Sequence, residues 1–309
     1  MFIMKILLLF SLSLISLLAV EPITPIVPLQ NLDKAKVALG EKLFFDARLS
    51  RDNTIACVSC HNLATGGDDN LQYSFGIDGQ EGNMNSPTVF NAVNNFRQFW
   101  DGRAKDLQEQ AAGPIENPIE MGFTLKELIP KLQKTEYRKL FQNIYAEGIT
   151  KNSITDAIAE YEKTLVTPNA PFDKYLKGDK NALTKREKEG YELFKSKGCI
   201  SCHHGVNLGG NLYSKFGVVE DSKITSFGRY NVTHKKRDMY YFKVPSLRNI
   251  TLTAPYFHDG RTSSLKEAIS IMAQLQLGRH FTDEEVASIE AFLHTLEGDI
   301  PQGREIYVP

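Results

Sequence analysis

Apolar residues recur at helical spacing in two widely separated stretches of this 309-residue chain. Ile154, Ala157, Ile158, Tyr161 and Leu165 form one stripe, and Val286, Ile289, Leu293 and Leu296 form another. Positions three and four apart share a helix face, so each stripe predicts an amphipathic helix that must bury against a partner. Thr282 opens the second stripe with Glu285 three residues on, the spacing at which a cap side chain and the third helical residue satisfy each other's orphan backbone donors. Thr184 and Glu187 open a helix through Gly190-Tyr-Glu-Leu-Phe194 in the same way. Ser264 and Glu267 have that spacing too, ahead of an apolar face at Leu265, Ala268, Ile269 and Met272. Gly40-Glu-Lys-Leu-Phe44 resembles the Gly190 segment and points to duplication of a helical unit. No region alternates with period two over a useful length, and the run 240–244 can pair only locally. The expected fold class is mainly α.

Thr167-Pro-Asn-Ala-Pro171 interrupts helicity and the polar run Lys177-Gly-Asp-Lys-Asn-Ala follows it, which divides the chain into units 21–178 and 179–309. Residues 65–87 carry five glycines and Pro87 without periodicity, and irregular stretches of that length are usually functional or mobile. At the start, Lys5 precedes an apolar run from Ile6 to Val20, followed by Pro22, Pro25 and Pro28. The run is shorter than the about 20 apolar residues that span a hydrocarbon core. Residues 1–20 therefore read as an export signal cleaved near Ala19 to Glu21, with retention as a membrane anchor the alternative, and they place the protein outside the cytoplasm. With 42% hydrophobic residues the chain can bury one large core or two ordinary ones. Lys plus Arg is 36 and Asp plus Glu is 37, so the basic excess that phosphate binding requires is missing and nucleic acid is not an expected partner.

The four cysteines fall into two pairs of equal spacing, Cys57/Cys60 and Cys199/Cys202, followed at once by His61 and His203. Cys-x-x-Cys-His is the pattern of covalent haem attachment: two thiols bond the porphyrin and the adjoining imidazole ligates its iron. A zinc site would need both pairs pooled in space and leave the two histidines unexplained. A redox dithiol would need a strand-helix-strand setting that is not predicted here. One c-type haem in each of two cytochrome c-like helical domains is the expectation. No histidine lies between His61 and His203, so the first iron has no second imidazole within its own half; Met84 is a weaker candidate. Met272, on an apolar helix face, reads by itself first as adaptable core filling and second as a thioether ligand to the second iron. His204, His234, His280 and His294 stand in no motif and read as surface or satisfied core residues.

Longer runs resemble the bacterial dihaem cytochrome c peroxidases through nearly the whole expected mature chain. They are Asn85-Ser-Pro-Thr-Val-Phe-Asn91, Gln98-Phe-Trp-Asp-Gly-Arg103, Glu109-Gln-Ala-Ala-Gly-Pro114, Asn117-Pro-Ile-Glu-Met-Gly122, Val244-Pro-Ser-Leu-Arg-Asn249 and Ala254-Pro-Tyr-Phe-His-Asp-Gly260. The resemblance implies an enzyme that reduces hydrogen peroxide with electrons from a small donor such as cytochrome c, and a homodimer. It puts Trp100 between the two haems, Glu120 and Gln110 in the peroxide pocket, Met272 on the second iron and His258 near a haem edge. It also implies a calcium ion held by Asn85 with the carbonyls of Thr253 and Pro255. Many relatives carry a histidine near Ile77 that closes the first haem; Gly76-Ile-Asp-Gly79 has none, so the first haem is expected to be open without a reductive switch. The other readings are the branch that oxidises a protein side chain to build tryptophan tryptophylquinone, whose second haem is closed by Tyr where Met272 stands here, and a pure electron-transfer dihaem cytochrome.

Overall fold

The computed structural model describes residues 21–301. The expected export signal, 1–20, lies outside the described residues. The mainly α expectation holds: the helices are α1 (Lys34–Phe44), α2 (Cys57–Cys60), α3 (Leu107–Glu116), α4 (Leu125–Leu132), α5 (Tyr137–Ile144), α6 (Lys151–Glu162), α7 (Pro171–Leu176), α8 (Lys185–Ser196), α9 (Tyr230–Thr233), α10 (Leu265–Leu277) and α11 (Asp283–His294). The short strands β1 (Tyr213–Lys215) and β2 (Tyr241–Lys243) pair antiparallel, Ser214 opposite Phe242, which is the local pairing anticipated for 240–244.

Each predicted stripe buries against the helix that leads into a cysteine pair: α6 crosses α1 and α11 crosses α8. The two similar segments explain how. A Cβ on Gly40 would lie 1.8 Å from the Ala157 carbonyl oxygen, and one on Gly190 would lie 1.9 Å from that of Ser288. Each glycine is thus the point where two helix backbones touch, a contact that any side chain would wedge apart. The caps form as predicted at Thr184 and Thr282, with both halves of the box present. At Ser264 only half forms. Its hydroxyl accepts from the Glu267 N–H, while the Glu267 carboxylate takes the Thr262 hydroxyl instead of returning to the cap backbone.

The first core gathers Leu39, Leu43, Leu128, Leu132, Phe141, Ile154 and Ile158; the second is built on Phe172, Tyr191, Phe194, Ile289, Phe292 and Leu293. The expected division at 178 falls between α7 and α8, and packing crosses it. Phe172 on α7 already stands edge-on to Tyr191 and Phe292 in the second core, and Ile23 from the start of the described chain joins them. The Glu21 carboxylate accepts from the Tyr191 hydroxyl, and the Pro22 carbonyl accepts from the Gly205 N–H. Arg248, 1% exposed, ties these pieces together. It pairs with Asp173 of α7 at 2.7 Å and donates to the carbonyls of Val206 and Thr24. A buried polar knot joins the halves. Asn91 Nδ2 and Asn249 Nδ2 both donate to the Thr167 hydroxyl at 2.8 Å, and Asn207 Nδ2 donates to the Asn91 carbonyl. Buried amides without partners are costly, so a knot satisfied across the seam fixes how the halves meet.

Candidate active site

Two large cavities flank that seam, with empty volumes of about 1750 and 1630 Å³ including their mouths. Cys57, Cys60 and His61 line the first; Cys199, Cys202 and His203 line the second. The four thiols make no disulfide, and the two pairs stand in separate cavities, which removes the pooled zinc site. Among the described residues no group of three or more His, Cys, Asp or Glu could hold a metal ion. Burial pushes the Cys60 thiol up to about 12 and Cys199 to about 11. His61 Nδ1 lies 3.2 Å from the Gly67 carbonyl and His203 Nδ1 lies 3.0 Å from that of Leu208. That assigns the proton to Nδ1 and leaves each Nε2 lone pair free for a metal. Burial holds both imidazoles below the usual histidine range, His203 at about 4, so both are neutral and ready to ligate. Paired thiols beside a neutral imidazole on the wall of a large cavity fit a covalently attached haem in each half.

The first cavity is the more polar. Gln110 and Pro114 from α3, Glu120, Arg103, Glu162, Met84 and Trp100 all line it. Burial raises the Glu120 carboxyl above the ordinary glutamate range, opposed by the hydrogen bond from Asn117 Nδ2 at 2.6 Å and by the charge of Arg103. Glu162 is 5% exposed, its Oε2 has no donor, and burial pushes its carboxyl to about 8. Ile77 is fully buried but does not line the cavity. Its N–H donates to the Glu120 carbonyl at 2.8 Å, and its side chain fills the space beside Gly122.

Trp100 lines both cavities, and its Nε1 donates to the Asn85 carbonyl at 2.8 Å. His258, 3% exposed, lines the second cavity, stands edge-on to Trp100 at 6.2 Å and stacks on Phe242 at 4.2 Å. Burial puts its imidazole at about 4. Asn85 lines both cavities and Thr253 and Pro255 line the second, so the three residues expected to bind calcium border the same cavity. Asn85 Nδ2 donates to the Leu71 carbonyl, and no hydrogen bond reaches its Oδ1 among the described residues. Met272 is half-buried on that cavity's wall.

The two halves correspond over a longer stretch than the sequence reading recognised. Gln98-Phe-Trp-Asp-Gly-Arg-Ala104 and Tyr256-Phe-His-Asp-Gly-Arg-Thr262 close identical turns. Their ends bridge, Gln98 with Ala104 and Tyr256 with Thr262, and Phe99 and Phe257 share a left-handed backbone at φ 66° and 73°. Asn91 and Asn249 are left-handed too, each leading into a short 3-10 turn, and α3 and α10 start in step behind Asp106 and Ser264. One constant separation therefore carries Asn85 onto Lys243, Trp100 onto His258, Arg103 onto Arg261 and Pro114 onto Met272. Sequence reasoning gave no role to Arg103, Pro114, Glu162 or Lys243, and this register was the signal that would have found Pro114 and Lys243.

Helical halves, each with a haem-attachment wall, sharing one tryptophan, define a two-haem protein of the cytochrome c class. The family model described as di-haem cytochrome c peroxidase matches residues 34–181, and the cytochrome c model matches 187–297. The cytochrome c551 peroxidase of Nitrosomonas europaea is 50% identical over 88% of this chain and 82% of its own. The cytochrome c peroxidase Ccp of Escherichia coli is 50% identical over 86% of this chain, which spans 59% of that protein. Among solved structures, a MauG-like protein associated with microbial copper homeostasis superposes with a TM-score of 0.77 at 27% identity, over 89% of this chain and 93% of that one. The chain belongs to the di-haem cytochrome c peroxidase family. None of the described helices is long and apolar enough to cross a membrane.

Proposed function

We propose that the protein is a cytochrome c peroxidase. It reduces hydrogen peroxide to water at the first cavity, with electrons entering from a small cytochrome donor through the second. The balance is one H2O2, two protons and two electrons giving two waters. His61 and His203, through Nε2, with the paired cysteines, would hold the two haems, and Met272 Sδ would complete the second. When bound, the haems supply the iron and the one-electron steps that peroxide reduction needs.

The observation that carries this reading is Glu120, a half-buried carboxyl on the wall that also holds His61, in a cavity where Pro114 stands at the place corresponding to Met272. Proline offers no side-chain ligand, so peroxide has a position to occupy. Cleaving peroxide requires a proton to move from its near oxygen to the departing one. The Glu120 carboxylate takes and returns that proton, and the Gln110 amide orients the substrate. Arg103, with a half-exposed side chain, keeps positive charge beside the carboxylate. Trp100, on both walls, is the packed path between the cavities.

Glu120→Gln is expected to lower kcat by about 10²–10⁴-fold while both haems stay attached. Glu120 must be ionised to accept a proton, and burial raises its pKa, so wild-type turnover should fall as pH drops through a limb above the ordinary glutamate value of about 4.3. The variant should lose that limb. Wild-type turnover in Glu120→Gln would overturn the assignment. A calcium ion on Asn85 Oδ1 and the carbonyls of Thr253 and Pro255 suits a hard cation that prefers oxygen, and chelation should depress turnover without releasing haem. We place the protein in the periplasm as a homodimer of two-domain chains, readable by fractionation and light scattering. The side-chain-oxidising reading is weakened by Met272 and by the 33–34% identity to the methylamine utilization proteins MauG, against 50% to the cytochrome c551 peroxidase. The pure electron-transfer reading is weakened by Pro114.

A further inference from the structure

One formally charged side chain lines the second cavity: Lys243, at the end of β2. The residue is 4% exposed, and among the described residues its ammonium meets no carboxylate and makes no hydrogen bond. Burial alone depresses its ammonium below the ordinary lysine range, to about 8. A buried, unpaired ammonium against an apolar wall is strongly unfavourable unless an anion meets it.

Its position has a counterpart. Lys243 corresponds to Asn85, and the two backbones are held alike across the seam. The Asn85 N–H donates to the His258 carbonyl at 2.9 Å, and the Lys243 N–H donates to the Trp100 carbonyl at 2.8 Å. Where the first half presents a neutral amide oxygen suited to a metal cation, the second presents a cation of its own. A c-type haem carries two propionate carboxylates, the anions this wall otherwise lacks.

We propose that Lys243 Nζ is the anion-binding group of the second cavity, pairing with a haem propionate and holding the potential of that haem up. The proposal rests on the second cavity being a haem pocket. Positive charge beside an iron centre favours its ferrous state, because reduction adds negative charge there.

Lys243→Met in the exported holoprotein, poised at the wild-type midpoint of the second haem, should lower the ferrous-to-ferric ratio of that haem about tenfold, equivalent to 59 mV for a one-electron couple. Lys243→Arg, which keeps the charge, should stay within about twofold of wild type. An unchanged ratio in Lys243→Met with both haems attached would overturn the proposal, as would an equal fall in both variants. Intact mass separates the two failures: a wild-type chain lacking the second haem defeats the pocket itself, whereas two haems with an unmoved ratio defeat only Lys243.

Discussion

The first and second cavities are built on the same turns and the same helix crossings, yet their walls differ in polarity at corresponding places. Around the second, Met272, His258 and Lys243 face a largely apolar lining. Around the first, their counterparts are Pro114, Trp100 and Asn85, Gln110 and Glu120 are added, and Arg103 reaches the lining where its counterpart Arg261 does not. The backbone devices were kept in both halves: left-handed Asn91 and Asn249, and the paired Asp-Gly-Arg turns. The side chains carried on them diverged. A duplicated scaffold can thus hold two similar groups in fixed relation while a few substitutions make one side suited to storing electrons and the other to receiving substrate.

Exchanging the differing residues is the strongest way to break this contrast. Pro114→Met is expected to bring a thioether to the first cavity and lower turnover by about two orders of magnitude. Met272→Ala should do the reverse and let cyanide bind in the second cavity as well as the first, read by optical titration. A Pro114→Met protein with full peroxidase activity would show that the correspondence between the two positions carries no functional weight.

A smaller effect sharpens the structural side of the comparison. Gly40→Ala and Gly190→Ala each drive a methyl into a carbonyl oxygen of the crossing helix. Each should cost about 1–3 kcal/mol or more in denaturant unfolding of the holoprotein, and the two costs should be similar. If one half tolerates the methyl and the other does not, the crossings are not equivalent.

Much of this was readable from the residues alone. Periodicity and capping signals located α6, α8, α10 and α11, and the Cys-x-x-Cys-His pattern separated two sites that the fold indeed keeps apart. Trp100, Gln110, Glu120, Met272 and His258 all reached cavity walls. What escaped has physical causes. Ile23 lies in a proline-rich stretch without periodicity, so nothing local reveals that it belongs to the second core. Thr124 and Glu127, a complete cap for α4, went unread although the signal was present. The register between the halves was hidden because the positions that changed most, Trp against His, Pro against Met and Asn against Lys, are those that carry chemistry. Lys243 could not be judged without burial, since an isolated lysine in sequence reads as solvated.

The segment from Glu21 to Thr24 is held by Tyr191, Gly205 and Arg248, all far downstream. During synthesis the earliest of these residues must wait, unmatched, until the last-made half has emerged. Assembly of the second half therefore closes a loop of chain from Glu21 to Arg248, and a C-terminal fragment produced by itself would lack a strap that its own core was shaped to receive.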